Sequence, residues 1–174
     1  GGVSDPELVD ESTDGIAWRS TPFPRTRFAY ELGVVHDGTL TVFGSTGPAA
    51  SPTREIWQTT DGMTWDRLEG VRGLDYGPRV MDTATASDAG WLAVVTENSD
   101  AETRRSHLVA SADLRRWREL AWPEGVQDTE IGSDGQGWGV LRDPLVRELA
   151  GPTRQGIFRS TDGETWTSGL VATL

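Results

Sequence analysis

Four ungapped segments of this chain repeat one pattern: an aliphatic residue, a hydroxyl three places on, an Asp two places after that, and a Trp four beyond the Asp. The aliphatic positions are Val9, Ile56, Leu108 and Ile157, and the hydroxyls are Ser12, Thr59, Ser111 and Ser160. The Asp residues are Asp14, Asp61, Asp113 and Asp162; the Trp residues are Trp18, Trp65, Trp117 and Trp166. Steps of 47, 52 and 49 residues separate the Asp positions, and half of the eight Trp fall at this one offset. A rare residue recurring at a fixed offset sets the repeat unit before any single element is assigned.

Each segment reads as strand, tight turn, strand. An Asp in a turn accepts hydrogen bonds from backbone N–H groups just ahead of it. Gly follows three of the four Asp residues and supplies the positive φ that such turns need. Leu114 stands there in the third segment, so that turn is expected to be distorted or of another type. The Trp ring is expected to pack beside the aliphatic residue of the opposite strand.

A second hairpin recurs between these: Leu32 to Phe43, Asp82 to Val95 and Ile131 to Leu141, with Gly38, Gly90 and Gly137 at corresponding turns. Gly33, Ala84, Ala86 and Gly132 crowd its first strand, which suits an innermost strand where sheets converge. No segment reads as a helix. One unit is therefore four strands in about 48 residues, the size of a propeller blade.

The Ser/Thr-x-Asp-Gly-x-x-Trp hairpins resemble the Asp-box (BNR) repeats of sialidase-like β-propellers, across nearly the whole chain. The common Asp box places its aromatic one residue further from the Asp, so these resemble a shortened variant. The fold class is all-β, with about three and a half blades of four antiparallel strands. Residues 5–20 give an outer half blade; 27–69, 80–120 and 129–171 give three blades of a single partial propeller domain. Such a count does not close a ring. The chain is then a piece of a longer propeller, or another copy or chain supplies the missing blades, or the strands form a compact small propeller or open arc.

In 174 residues there is room for one domain with a core. Eight Trp argue against disorder. No apolar run reaches the 18 or so residues of a membrane span, so none is expected. No charged-then-apolar leader opens the sequence. Cys is absent, which excludes disulfides and thiolate metal sites. A net charge of -11 disfavours nucleic acid and anionic lipid. All 16 basic residues are Arg, a composition that codon bias in a GC-rich genome explains.

The resemblance implies that the Asp turns, with Asp14, Trp18, Asp61, Trp65, Asp113, Trp117, Asp162 and Trp166, are structural and lie opposite the ligand face. That face is built by loops entering the inner strands and loops joining strands two and three. The entering loops hold the weak ligand-face candidates Arg25, Arg27, Tyr30, Asp75, Tyr76, Arg79, Asp128 and Glu130. Sialidases use an Arg cluster, a Tyr/Glu pair and an Asp acid/base, and Glu31 adds to the matching residue types. The Phe/Tyr-Arg-Ile-Pro start of a sialidase is absent, and Tyr30 and Glu31, adjacent on a strand, point to opposite faces. No catalytic set emerges. His36 and His107 lie in different blades without ligand spacing, so neither a metal nor a cofactor is expected. Residues 48–54, 97–105 and 143–156 read as polar loops crowding one face, where partner contacts are made. The sequence points to a non-catalytic binding or assembly module of a secreted or cell-envelope protein, engaging a protein or glycan. The alternative is a fragment of a sialidase-like or related glycoside hydrolase.

Overall fold

A computed structural model describes residues 8–11, 16–17, 19–24, 27–48, 52–74, 79–97, 105–123, 126, 131–141 and 156–170. They form strands and turns, with no helix among them. β1 (Leu8–Glu11) and β2 (Arg19–Pro22) make a two-stranded sheet. The first four-stranded sheet holds β3 (Ala29–His36), β4 (Thr39–Thr46), β5 (Thr53–Thr59) and β6 (Asp66–Arg67). The second holds β7 (Arg79–Ser87), β8 (Gly90–Glu97), β9 (Ser106–Ser111) and β10 (Arg118–Leu120). The third holds β11 (Ile131–Ser133), β12 (Trp138–Leu141), β13 (Gly156–Ser160) and β14 (Thr167–Leu170). Every neighbouring pair is antiparallel and strand order follows chain order. These are β-propeller blades. β7 packs against both β3 and β11, and its small residues Ala84 and Ala86 are half-buried and buried, whereas Gly33 and Gly132 of the flanking first strands are exposed.

Three Asp turns are described, and they share one geometry. Asp61 Oδ1 accepts hydrogen bonds from the backbone N–H of Met63 (2.8 Å) and Thr64 (2.7 Å). Asp162 takes the same pair from Glu164 and Thr165, both at 2.8 Å. Asp113 takes it from Arg115 and Arg116, both at 2.9 Å. The hydroxyl two residues earlier donates to the same carboxylate, as Thr59 does to Asp61 at 3.1 Å. The turn of Asp14 and Trp18 lies outside the described residues.

The third turn is not distorted. Leu114 adopts φ 63°, beside 71° at Gly62 and 74° at Gly163. A left-handed Leu costs roughly 1–2 kcal/mol. Its side chain is buried in the core between the first two blades, and burying a Leu returns roughly 1.5–3 kcal/mol. Packing therefore outweighs the backbone preference.

The Trp rings do not lie beside the aliphatic residue five before each Asp. Trp117 packs in the core between the first and second blades, whereas Leu108 faces the third. Trp65 packs with Phe23, Phe28, Val42 and Trp57, whereas Ile56 faces the second blade. Successive strand residues alternate faces, so the residue four before the Asp shares the Trp side: Trp57, Val109, Phe158. The motif thus furnishes both faces of a blade, Trp toward the preceding blade and aliphatic residue toward the next. At Gly44 the Phe28 ring occupies the space a side chain would need.

Backbone N–H groups of Thr64 and Met63 hold the Asp61 carboxyl at a pKa of about 2, and those of Thr165 and Glu164 do the same for Asp162, against 3.8 ordinarily. Arg116 and Arg115 N–H groups lower that of Asp113. A carboxyl depressed in the folded state stabilises above its unfolded pKa and loses that contribution as pH falls through the folded value. Urea midpoints of the wild-type chain should therefore decline as pH drops from about 4 toward about 2. The double variant Asp61→Asn, Asp162→Asn should show a shallower decline; parallel curves would contradict the assignment.

Candidate functional site

The antiparallel registers fix which residues share an end of the sheets. β3 and β5 start at the same end, so Tyr30, Glu31, Thr46 and Arg54 gather there, while His36 and Asp61 lie at the other. In the other two four-stranded sheets, too, the first and third strands begin at one end and the described Asp turn lies at the opposite one.

A β-bulge falls between Tyr30 and Leu32, and another between Met81 and Thr83. Bulges re-aim side chains at sheet ends. Each carries an acid as its extra residue, Glu31 in β3 and Asp82 in β7. Glu31 pairs with Arg54, and both side chains are enclosed, with 10% and 9% exposure. Its second oxygen accepts the Met81 backbone N–H from the next blade at 2.9 Å. The carboxylate thus ties the first blade to the second. The Arg54 Nη2 atom is buried without a hydrogen-bond partner. Asp82 accepts the Thr96 hydroxyl, and Thr96 and Ser106 hydroxyls lie 2.8 Å apart. Further out, His107 Nδ1 meets Glu119 Oε1 at 2.8 Å, and Glu55 is buried while accepting the Trp57 indole N–H at 3.0 Å.

The sequence candidates scatter. Arg27 is exposed at this end with φ 60°. Tyr30 does not turn to the loops: its hydroxyl lies 3.3 Å from where a Cβ on Gly33 would sit, so the ring runs down the open side of β3. Glu31 turns the other way, toward the second blade, as adjacent strand positions require. Arg25, Asp75, Tyr76, Asp128 and Glu130 lie outside the described residues, and Arg79 is described by its backbone alone. The three polar loops lie largely outside too. Sequence reading passed over Asp82 and Arg54. The signal for the acid was an alignment: Glu31-Leu32-Gly33, Asp82-Thr83-Ala84 and Glu130-Ile131-Gly132 put an acid two places before the small inner-strand residue of every blade. For Arg54 there was none, because its partner is fixed only by strand register.

Among the described residues no three His, Asp or Glu side chains converge as a metal site would need. Two open depressions of about 470 and 560 Å³ flank Trp138 and Arg159 on the third blade, away from the Glu31 end of the first blade.

No family model matches the sequence, and no curated protein does. Solved structures match the fold. A glycoside hydrolase family 32 β-fructofuranosidase of Bombyx mori, in complex with sucrose, is 18% identical with a TM-score of 0.51, covering 92% of this chain and 41% of its own. An α-L-arabinanase of Penicillium chrysogenum, complexed with arabinobiose, is 15% identical with a TM-score of 0.51, covering 95% of this chain and 56% of its own. An α-L-arabinofuranosidase of Fusarium graminearum, also with arabinobiose, is 13% identical at 0.50, covering 94% and 55%. The chain thus spans about half the length of the propeller enzymes it resembles.

Proposed function

We propose that this chain is a non-catalytic, glycan-engaging part of a larger β-propeller of the Asp-box kind, belonging to a secreted or cell-envelope protein. The observation that carries the reading is the use made of Glu31. A general base or nucleophile needs lone pairs free to meet substrate. Those of Glu31 are engaged by the Arg54 guanidinium and the Met81 N–H, which join two blades. Among the described residues of the loop end, the exposed Arg27 and Arg105 present guanidinium groups, five-donor groups suited to sugar hydroxyls and carboxylates. The sugars in the similar enzymes, sucrose and arabinobiose, supply the first probes.

Calorimetric titration of the purified chain with arabinobiose and sucrose should show binding that Arg27→Ala weakens at least tenfold. Asp162→Ala, at the opposite end, should lower stability and leave affinity unchanged. A selective loss of affinity in Asp162→Ala would overturn the structural role given to the Asp turns.

A second reading, a fragment of a glycoside hydrolase, draws on the acid repeated at Glu31, Asp82 and Glu130 and on the class of the similar structures. Release of monosaccharide from arabinobiose or sucrose, abolished by Asp82→Asn, would establish it and end the non-catalytic one.

A further inference from the structure

Four described arginines each meet a carboxylate: Arg54 with Glu31, Arg67 with Glu69, Arg118 with Glu164 and Arg159 with Asp134. With 27 acidic residues against 16 arginines, counter-charge is plentiful. Arg72, Arg115 and Arg116 differ. All three are exposed, and among the described residues none forms an ion pair, although the Arg116 charge acts on the Asp113 carboxylate of its own turn.

The three come from two segments. Residues 68–74 leave β6 and cross to the Asp113 turn. There the Arg72 N–H donates to the Arg115 carbonyl at 2.7 Å, and the Trp117 N–H donates to the Arg72 carbonyl at 3.0 Å. The resulting parallel bridge sets Arg72 beside Arg116, at the usual spacing of neighbouring strands, about 4.8 Å. The backbone beneath is fixed. Leu74, Leu114 and Trp117 are buried in the core between the first two blades, with Val71 packed against it. At Gly73, with φ 82°, the Trp117 carbonyl occupies the space a side chain would need. None of this needs an arginine side chain, because backbone groups make the bridge. Like charges opposite each other on neighbouring strands are destabilising. The turn positions of Arg115 and Arg116 are held by Met63 and Thr64 in the first blade and by Glu164 and Thr165 in the third.

We propose that Arg72, Arg115 and Arg116 form a binding site for a tetrahedral oxyanion, a phosphate or sulfate group that is free or carried as a monoester. A carboxylate has two oxygens and is satisfied by a single guanidinium fork. Two forks side by side match an anion with three oxygens to share, and a phosphate monoester brings three with a charge of about −1.5 to −2. The planar guanidinium is pre-organised for such contacts, and the rigid backbone holds the side chains close together. This site stands at the Asp-turn end of the second blade, opposite Arg27, and does not depend on the loop-end reading.

The test is an NMR titration of the full chain at low salt, following the arginine Nε–H signals. The probes are inorganic phosphate, glucose 6-phosphate, glucose 6-sulfate and glucuronate. The phosphate and sulfate probes should shift the Arg72 and Arg116 signals saturably, and glucuronate should bind at least tenfold more weakly. Arg72→Gln and Arg116→Gln should each weaken phosphate binding at least tenfold, the loss expected for a charge-assisted pair. Neither should lower the melting temperature, since both side chains are exposed. Arg116→Lys keeps the charge and loses the fork, and should weaken binding as well. Tighter binding of glucose 6-phosphate than of inorganic phosphate would make an esterified sugar the source; equal binding would make it the free anion, and both support the site. Full affinity in Arg116→Lys, or equal affinity for glucuronate, would reduce the effect to charge alone and overturn the proposal. Shifts that fail to saturate would overturn it too.

Discussion

Trp117→Ala should destabilise the chain by about 3–5 kcal/mol, the loss typical of truncating a buried aromatic. Trp117 is 6% exposed, lies edge-on to Phe43 with centroids 6.2 Å apart, and donates its indole N–H to the Leu114 carbonyl at 2.8 Å. It fills the core between the first two blades, which other side chains cannot reach without moving a sheet. The equivalent rings are less enclosed: Trp65 and Trp166 are half-buried and their indole nitrogens have no partner. The same substitution at Trp65 should therefore cost less. Urea denaturation followed by circular dichroism would decide it; a loss under about 1 kcal/mol for Trp117 would contradict the core role.

Glu31→Ala should cost a similar amount, about 3–5 kcal/mol, because it strands the Arg54 guanidinium in an enclosed site. The Met81 N–H loses its acceptor in the same step. The double variant Glu31→Ala, Arg54→Met removes the charge with its partner and should recover most of the loss, since exchanging a buried pair for apolar groups is often nearly neutral. Denaturation midpoints of both single variants and the double variant give the coupling directly. Additive losses would mean that the two side chains do not interact across the blade.

The regular part of this fold is legible in the sequence because its causes are local. An Asp two residues after a hydroxyl and four before a Trp specifies a turn whatever surrounds it, and three described turns form alike. Leu114 was misread for the opposite reason. Its φ is paid back by burial against residues of another blade, which no local rule records. The faces of the Trp and aliphatic positions were misread through the turn, whose geometry sets which earlier residue shares the Trp side. At the loop end, Arg27, Tyr30 and Glu31 could be named from the sequence. That Tyr30 lies along Gly33 and Glu31 bridges to Arg54 and Met81 could not. Strand alternation parts the two side chains and was legible; the partner that each one meets is set by strand register.

From the sequence alone came the unit: four strands, an Asp turn, a small-residue inner strand, an all-β array of blades. Turn chemistry and strand alternation act over a few residues and so are written in order along the chain. The tertiary structure alone decided which faces meet and which stay open. Glu31 became a tie between blades, and the side bearing Tyr30 and Val35 was left uncovered. Those outcomes depend on register and on contacts between residues some 25 to 50 positions apart, whose strength is set by burial that only the assembled sheets create.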